Sequence, residues 1–169
     1  EDLQVAIFGF ETGQQIRNAG DAETMGLEAE LSYSPVDGLV LMANYAYLDA
    51  EIVSGELDGQ KLAYAPENTF SIGANINHDF LGGDLNWFAV YNYTDEFYHD
   101  IANLEEEDSY GILNGKVTYT AGSERWDLAI AADNITDEDY ATIRADFGWG
   151  AQLHWGYQRM VRAEFNVYF

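Results

Sequence analysis

Met25-Gly26-Leu27-Glu28-Ala29-Glu30-Leu31-Ser32-Tyr33 puts apolar or small residues at every odd position and Gly, Glu, Glu and Ser at the even ones. A helix would scatter these side chains round its circumference. A pleated strand sorts them onto one greasy and one polar face. The alternation returns in Phe70-Ser71-Ile72-Gly73-Ala74-Asn75-Ile76-Asn77, and in Leu85, Trp87, Ala89, Tyr91 and Tyr93 opposite Asn86 and Asn92. The last residues repeat it, with Val161, Ala163, Phe165, Val167 and Phe169 against Arg162, Glu164 and Asn166. Eight such segments are predicted, at roughly 3–11, 23–34, 39–52, 67–79, 85–98, 109–120, 126–135 and 158–169. Several exceed the five or six residues usual in soluble sheets.

The connections alternate in kind. Ser34-Pro35-Val36-Asp37-Gly38, Leu81-Gly82-Gly83-Asp84 and Ala121-Gly122-Ser123-Glu124-Arg125 read as tight turns, rich in residues that accept or preset turn dihedrals. The other four are predicted to be long loops holding most of the Asp, Glu and Asn. Short turns at one end and long loops at the other are the pattern of an all-β, antiparallel transmembrane barrel.

Hydrocarbon cannot satisfy a carboxylate or an amide, so polarity decides which face meets lipid. Glu28, Glu30, Asn75, Asn114, Lys116, Asp127, Asp133, Arg162 and Glu164 are assigned to a wet lumen. The opposite face is aliphatic in mid-strand and aromatic towards the strand ends. Tyr33, Trp87, Tyr119, Trp126 and Phe169 are placed near the short turns, and Tyr45, Tyr47, Phe70, Tyr91 and Tyr93 near the long loops. Two girdles are expected where rings straddle headgroups. A soluble sandwich would instead bury its greasy face between sheets.

Composition narrows the function. The 169 residues hold seven Lys+Arg against thirty Asp+Glu, a net charge of −23, so there is no basic footprint for nucleic acid. Without Cys there is neither a disulfide nor a thiolate site. No apolar run is long enough for a membrane helix. No export signal opens the chain, and one is expected outside it. A hydrophobic content of 47%, with 15% aromatic, does not belong to a disordered acidic tail.

Four motifs carry a resemblance. Asn18-Ala19-Gly20-Asp21-Ala22-Glu23-Thr24-Met25-Gly26-Leu27-Glu28-Ala29-Glu30 is similar to the NAGxAxxxGxExE strand opening of TonB-dependent outer-membrane receptors. Ala63-Tyr64-Ala65-Pro66-Glu67-Asn68-Thr69 resembles their LxxxPxxT strand start, and Asp133 to Tyr140 their xNLxDxxY motif. Phe165-Asn166-Val167-Tyr168-Phe169 resembles the aromatic terminus of outer-membrane proteins. Gln158 departs from the family, which often has Pro before the following Arg.

The resemblance implies that residues 1–169 are the C-terminal segment of a receptor barrel: eight of about 22 strands, or roughly 130° of wall, with the plug domain absent. It implies import of a metal chelate, in particular a ferric siderophore, across the bacterial outer membrane. Its implied partners are the TonB-ExbB-ExbD complex, reached through the missing N-terminal part, and the plug. Outer-membrane lipid, lipopolysaccharide and the barrel-assembly machinery complete the set. Phe165, Val167 and Phe169 match the assembly signal. The competing reading is a self-contained eight-stranded barrel with a structural or adhesive role, in which 3–11 would pair with 158–169.

Residues for chemistry are few. Acids from Glu11 to Asp146 gather on the long-loop side, where Arg17, Lys61, Arg144 and Arg159 are the only Lys or Arg. Such a mouth repels anionic cargo unless salt or divalent cations intervene. It suits a cationic or neutral chelate; the plainer account is a saline habitat or divalent bridging to lipopolysaccharide. Arg144, His154, Trp155 and Arg17 are the candidates for touching cargo. Glu105-Glu106-Glu107-Asp108 lacks the spacing of a calcium loop and reads as a solvated loop. Asp137-Glu138-Asp139 is read as closing a strand-to-loop transition. His78-Asp79 and His99-Asp100 lack a nucleophile beside them, so no catalytic residue, metal ligand or cofactor is assigned.

Overall fold

A computed structural model describes the backbone of residues 2–9, 13–146 and 150–169, and the side chains of residues 4, 18, 20–146 and 150–169. Eight long strands follow the alternating segments: β1 (Asp2–Gly9), β2 (Gly13–Val36), β3 (Leu39–Ile52), β4 (Asn68–Phe80), β5 (Gly83–Thr94), β8 (Tyr110–Thr120), β9 (Trp126–Asp133) and β12 (Met160–Val167). Four shorter strands lie in the loops: β6 (Phe97–Tyr98), β7 (Glu106–Glu107), β10 (Ala141–Asp146) and β11 (Ala151–Trp155). The long strands form one antiparallel sheet in the order β1-β2-β3-β4-β5-β8-β9-β12, while β6-β7 and β10-β11 are separate hairpins. Among the described residues β1 and β12 are the two edges of that sheet, so the pairing needed by a closed eight-stranded barrel is not made.

Register carries the face assignment across the sheet. Glu30 lies opposite Asn44, Asn44 opposite Ser71, and Ser71 opposite Asn92. Further along, Lys116 meets Ala131, and Ala131 meets Arg162. Directly opposed residues share a face, so the predicted lumenal residues lie on one face, with Val40, Phe88, Val90 and Ile112 interspersed among them. The other face carries Leu27, Leu31, Ile72, Ile130, Val161 and Phe165, which are 63%, 62%, 58%, 56%, 65% and 63% exposed. A sandwich would have hidden them. Here they belong to the bilayer side.

Rings gather at both ends of that greasy face. Phe70 stacks on Tyr93 at 4.9 Å, while Tyr119 packs on Trp126 at 5.5 Å and Trp126 on Phe165 at 6.0 Å. At the loop end the phenols find partners: Tyr45 donates to Asn68 Oδ1 at 2.8 Å and Tyr93 to Asp95 Oδ1 at 3.2 Å. Apolar bodies with polar tips suit an interface between acyl chains and water.

Three tight turns form where predicted, and the sequence expectation fails at two other connections. The first long loop is largely strand: β2 begins at Gly13, and its start pairs with β1 from Gly9↔Gly13 to Asp2↔Asp21. Gln14, Gln15 and Asn18 supply no greasy face, so the alternation that marks the other strands is missing from the sequence here. The 85–98 segment also breaks, since β5 ends at Thr94 and Phe97–Tyr98 turns away to pair with Glu106–Glu107.

Candidate functional site

Buried side chains lie largely at the long-loop end. Ile52 has no exposed surface, and Ala50, Phe97, His99, Glu107, Asn134 and Ala141 are all below one tenth. The connections 53–67, 95–109 and 134–159 therefore make a packed cap rather than three separate solvated loops.

The first joint links 53–67 to 95–109. Lys61 N donates to Asn103 Oδ1 at 2.8 Å, and Asn103 Nδ2 returns a bond to Lys61 O at 2.9 Å. Tyr64 N donates to Tyr98 O at 2.8 Å, and its ring meets His99 edge-on at 5.2 Å. Asn103 and Tyr64 both hold positive φ, 53° and 57°. Asp100 shapes the 100–105 turn, accepting the amides of Ala102, Leu104 and Glu105 at 3.1, 2.9 and 2.8 Å. The His99-Asp100 pair is thus a turn builder beside a packed ring, not an acid–base dyad.

The second joint links 95–109 to the β10-β11 hairpin. Glu107, expected to be solvated, is buried; its Oε1 accepts Ala141 N at 2.7 Å and its Oε2 accepts Arg144 Nη2 at 3.2 Å. Tyr110 stacks on Tyr140 at 4.6 Å, and Gly156 N donates to Tyr140 O at 2.7 Å. A Cβ on Gly156 would lie 2.0 Å from the Tyr140 ring, so this close approach needs glycine.

The third joint explains the motif at 133–140. Asn134 Nδ2 donates to Glu138 O at 2.8 Å and Tyr157 O at 3.0 Å, while its Oδ1 accepts Glu138 N at 2.9 Å. Asp137 accepts Arg159 N at 2.8 Å and the Arg159 guanidinium at 3.4 Å. Asp137 therefore does close a strand-to-loop transition, by gripping the chain just before β12.

These joints account for three of the four cations on this side. Lys61 bonds Glu67 at 3.1 Å, and that carboxylate holds its ammonium pKa above the ordinary value. Arg144 is paired with Glu107 and Arg159 with Asp137. Arg17 sits on β2 opposite Val5, but its side chain lies outside the described residues. His154 and Trp155 occupy exposed positions on β11, with Trp155 59% exposed. Three of the four cargo candidates share the β10-β11 hairpin, where Ile143 pairs with His154 and Arg144 with Leu153; Arg144 is engaged by Glu107, and the Arg17 side chain lies outside the described residues.

The lumenal wall has its own network. Lys116 bonds Glu164 at 3.1 Å, and Arg162 bonds both Glu164 and Asp133. Asp127 accepts Asn166 at 2.8 Å and Tyr168 at 2.5 Å. Nearer the loops, a hollow of about 570 Å³ is lined by residues of both faces, Glu30, Asn44 and Ser71 from the polar one and Tyr45, Phe70 and Tyr93 from the greasy one. Among the described residues no group of three or more His, Cys, Asp or Glu is placed to hold a metal ion.

Glu107, Asn103 and Asn134 were missed as organisers. Asn103 and Asn134 carried the one usable sign, since Asn tolerates the left-handed region that both adopt. Glu107 carried none, because its partners lie more than thirty residues away.

Residues 1–135 match a family model described as TonB dependent receptor-like, beta-barrel. The chain is 29% identical over 127 residues to the iron-regulated outer membrane virulence protein of Vibrio cholerae, covering 72% of this chain and 19% of that protein. It thus spans about a fifth of that relative's length, 19%. Among solved structures, the ferric yersiniabactin uptake receptor FyuA of Yersinia pestis superposes with a TM-score of 0.84 at 22% identity, over 90% of this chain and 24% of that one. The siderophore receptor PiuA of Acinetobacter baumannii gives 0.72 at 20% identity, over 98% and 24%. At these identities the likeness is one of fold.

Proposed function

The chain belongs to the TonB-dependent receptor-like β-barrel family, and from that premise we propose that it supplies wall and outer loops to a transporter importing a metal chelate. Its place is the bacterial outer membrane. On this reading residues 1–169 are the C-terminal segment of the barrel, the chelate is a ferric siderophore, and the TonB-ExbB-ExbD complex supplies energy through a plug. The observation that supports it most is a sheet whose charged and amide side chains share one face while its exposed greasy ones share the other. A sheet with both faces committed in this way encloses water and contacts lipid.

Cargo contact is assigned to His154 and Trp155 on β11, which project from the cap. Arg144 becomes a positioning residue, since Glu107 already occupies its guanidinium. Phe165 and Val167 share the bilayer face of the last strand and Phe169 follows two residues after its end; these three are assigned as the signal that the assembly machinery reads. The cap is acidic and its described cations are paired, which favours a neutral or cationic chelate over an anionic one.

The test is equilibrium binding of ferric hydroxamate, catecholate and carboxylate chelates to the purified full-length receptor, followed by tryptophan fluorescence. A saturable response to one class is expected, weakened about tenfold or more by Trp155→Ala, as for an aromatic anchor. Absence of binding to all three, together with unimpaired growth of a deletion strain on each as sole iron source, would overturn the reading.

A further inference from the structure

His99 occupies the centre of the cap with no exposed side-chain surface, between the rings of Tyr64 and Phe97 at 5.2 and 5.0 Å. Neither ring nitrogen makes a hydrogen bond. Buried polar atoms are nearly always satisfied, so an orphaned imidazole calls for an account. Its Nε2 lies 3.6 Å from Glu107 Oε2, the oxygen that also receives Arg144. Glu107 in turn holds the Ala141 amide.

We propose that His99 is a proton-operated latch: when it takes up a proton, its Nε2–H closes onto Glu107 and tightens the hold of the 95–109 loop on the β10-β11 hairpin. The groups around it support this direction. Asp100, Glu105 and Glu107 flank it on its own loop. From β10 come Arg144 and Asp146, which line the same small cleft as His99, and from 53–67 comes the Tyr64 phenol. Carboxylates outnumber the single guanidinium, so added positive charge is matched locally. The neutral ring can offer Glu107 at most one uncharged N–H; the charged ring offers an ionic hydrogen bond. Imidazole is the side chain that ordinarily changes charge between about pH 5 and 8. On this proposal the protonated cap is the latched one.

The inference rests on the cap's geometry, and its readout needs no cargo, so it fails independently of the transport reading. Amide exchange of the full-length receptor in lipid is measured at about pH 8 and about pH 5.5, with protection factors corrected for intrinsic rates. The expected result is a rise of about fivefold or more in protection of residues 97–107 and of Ala141 at the lower pH. The rise should vanish in His99→Gln and in Glu107→Gln, and persist in His154→Gln. Should His99→Gln fail to fold, His99→Phe keeps the ring packing without the nitrogens and serves in its place. Protection that does not respond to pH in the wild type, or a rise that survives the His99 substitution, would overturn the proposal.

Discussion

Glu107 accepts the Ala141 amide at 2.7 Å across thirty-four residues of chain, and with it secures the β10-β11 hairpin. Both partners are buried, with Glu107 5% and Ala141 1% exposed. Removing the carboxylate leaves a buried N–H without an acceptor and Arg144 without its counter-ion. Glu107→Ala should destabilise the β10-β11 docking by about 2–4 kcal/mol. Amide exchange at 141–146 would then quicken by about thirtyfold to several hundredfold, while the turns at 81–82 and 121–125 stay unchanged. Equal acceleration everywhere would mean that Glu107 supports the whole sheet rather than this joint.

The bilayer side can be tested by charge. Ile72 is 58% exposed on the greasy face, between Ala43 and Tyr91 in the neighbouring strands. Ile72→Arg should cost about 2–4 kcal/mol in lipid, whereas Asn44→Arg on the polar wall should cost well under half of that. Denaturant unfolding of the full-length receptor in vesicles measures both. If the two variants lose equal stability, Ile72 does not meet hydrocarbon.

Asn134 should be the least replaceable residue of the 133–140 motif. It holds φ at 49° and is 3% exposed, with three side-chain bonds to Glu138 and Tyr157. Asn134→Ala combines backbone strain with unsatisfied buried carbonyls, for a loss on the order of 3–5 kcal/mol at this joint. Asn134→Gly removes the strain but not the lost bonds, so it should recover only about 1 kcal/mol. Exchange of the Glu138 amide reads the difference. Full recovery in the glycine variant would show that the side-chain bonds contribute little.

The sheet was legible because membrane strands obey a two-sided rule. At Met25–Tyr33 each residue is either lipid-soluble or water-soluble, and the register then propagates that choice from Glu30 through Asn44 and Ser71 to Asn92. At Gly13–Ala22 the sequence shows no alternation of apolar and polar residues, so the rule has nothing to sort and the strand carries no sequence signal. The cap was illegible for a different reason. Glu107 looks like any other member of an acidic run, and His99 like any loop histidine. Only the return of residues 134–159 over the 95–109 loop makes one a buried acceptor and the other an orphaned ring. The Asn134 and Asp137 motif was readable as a landmark, though not as a mechanism, because Arg159 and Tyr157 complete it from the far side of the hairpin.

Asp95 links the girdle to the cap and should make that link acid-sensitive. The side-chain amide of Asn68 donates to its Oδ2 at 2.8 Å, and the Tyr93 phenol to its Oδ1 at 3.2 Å. The Asn68 bond is the main reason that the Asp95 carboxyl lies below its ordinary pKa. A carboxyl lowered on folding contributes stability that is complete above its unfolded value and is lost as pH falls through the folded one. Protection of the Asp95 amide, which donates to Asn68 O at 3.0 Å, should therefore be flat at neutral pH and fall away below about pH 4. Asn68→Leu removes the principal donor to the charged form, so the variant should begin with lower protection and lose less of it on acidification. Superimposable pH profiles for the wild type and the variant would transfer the effect from Asn68 to the Tyr93 phenol.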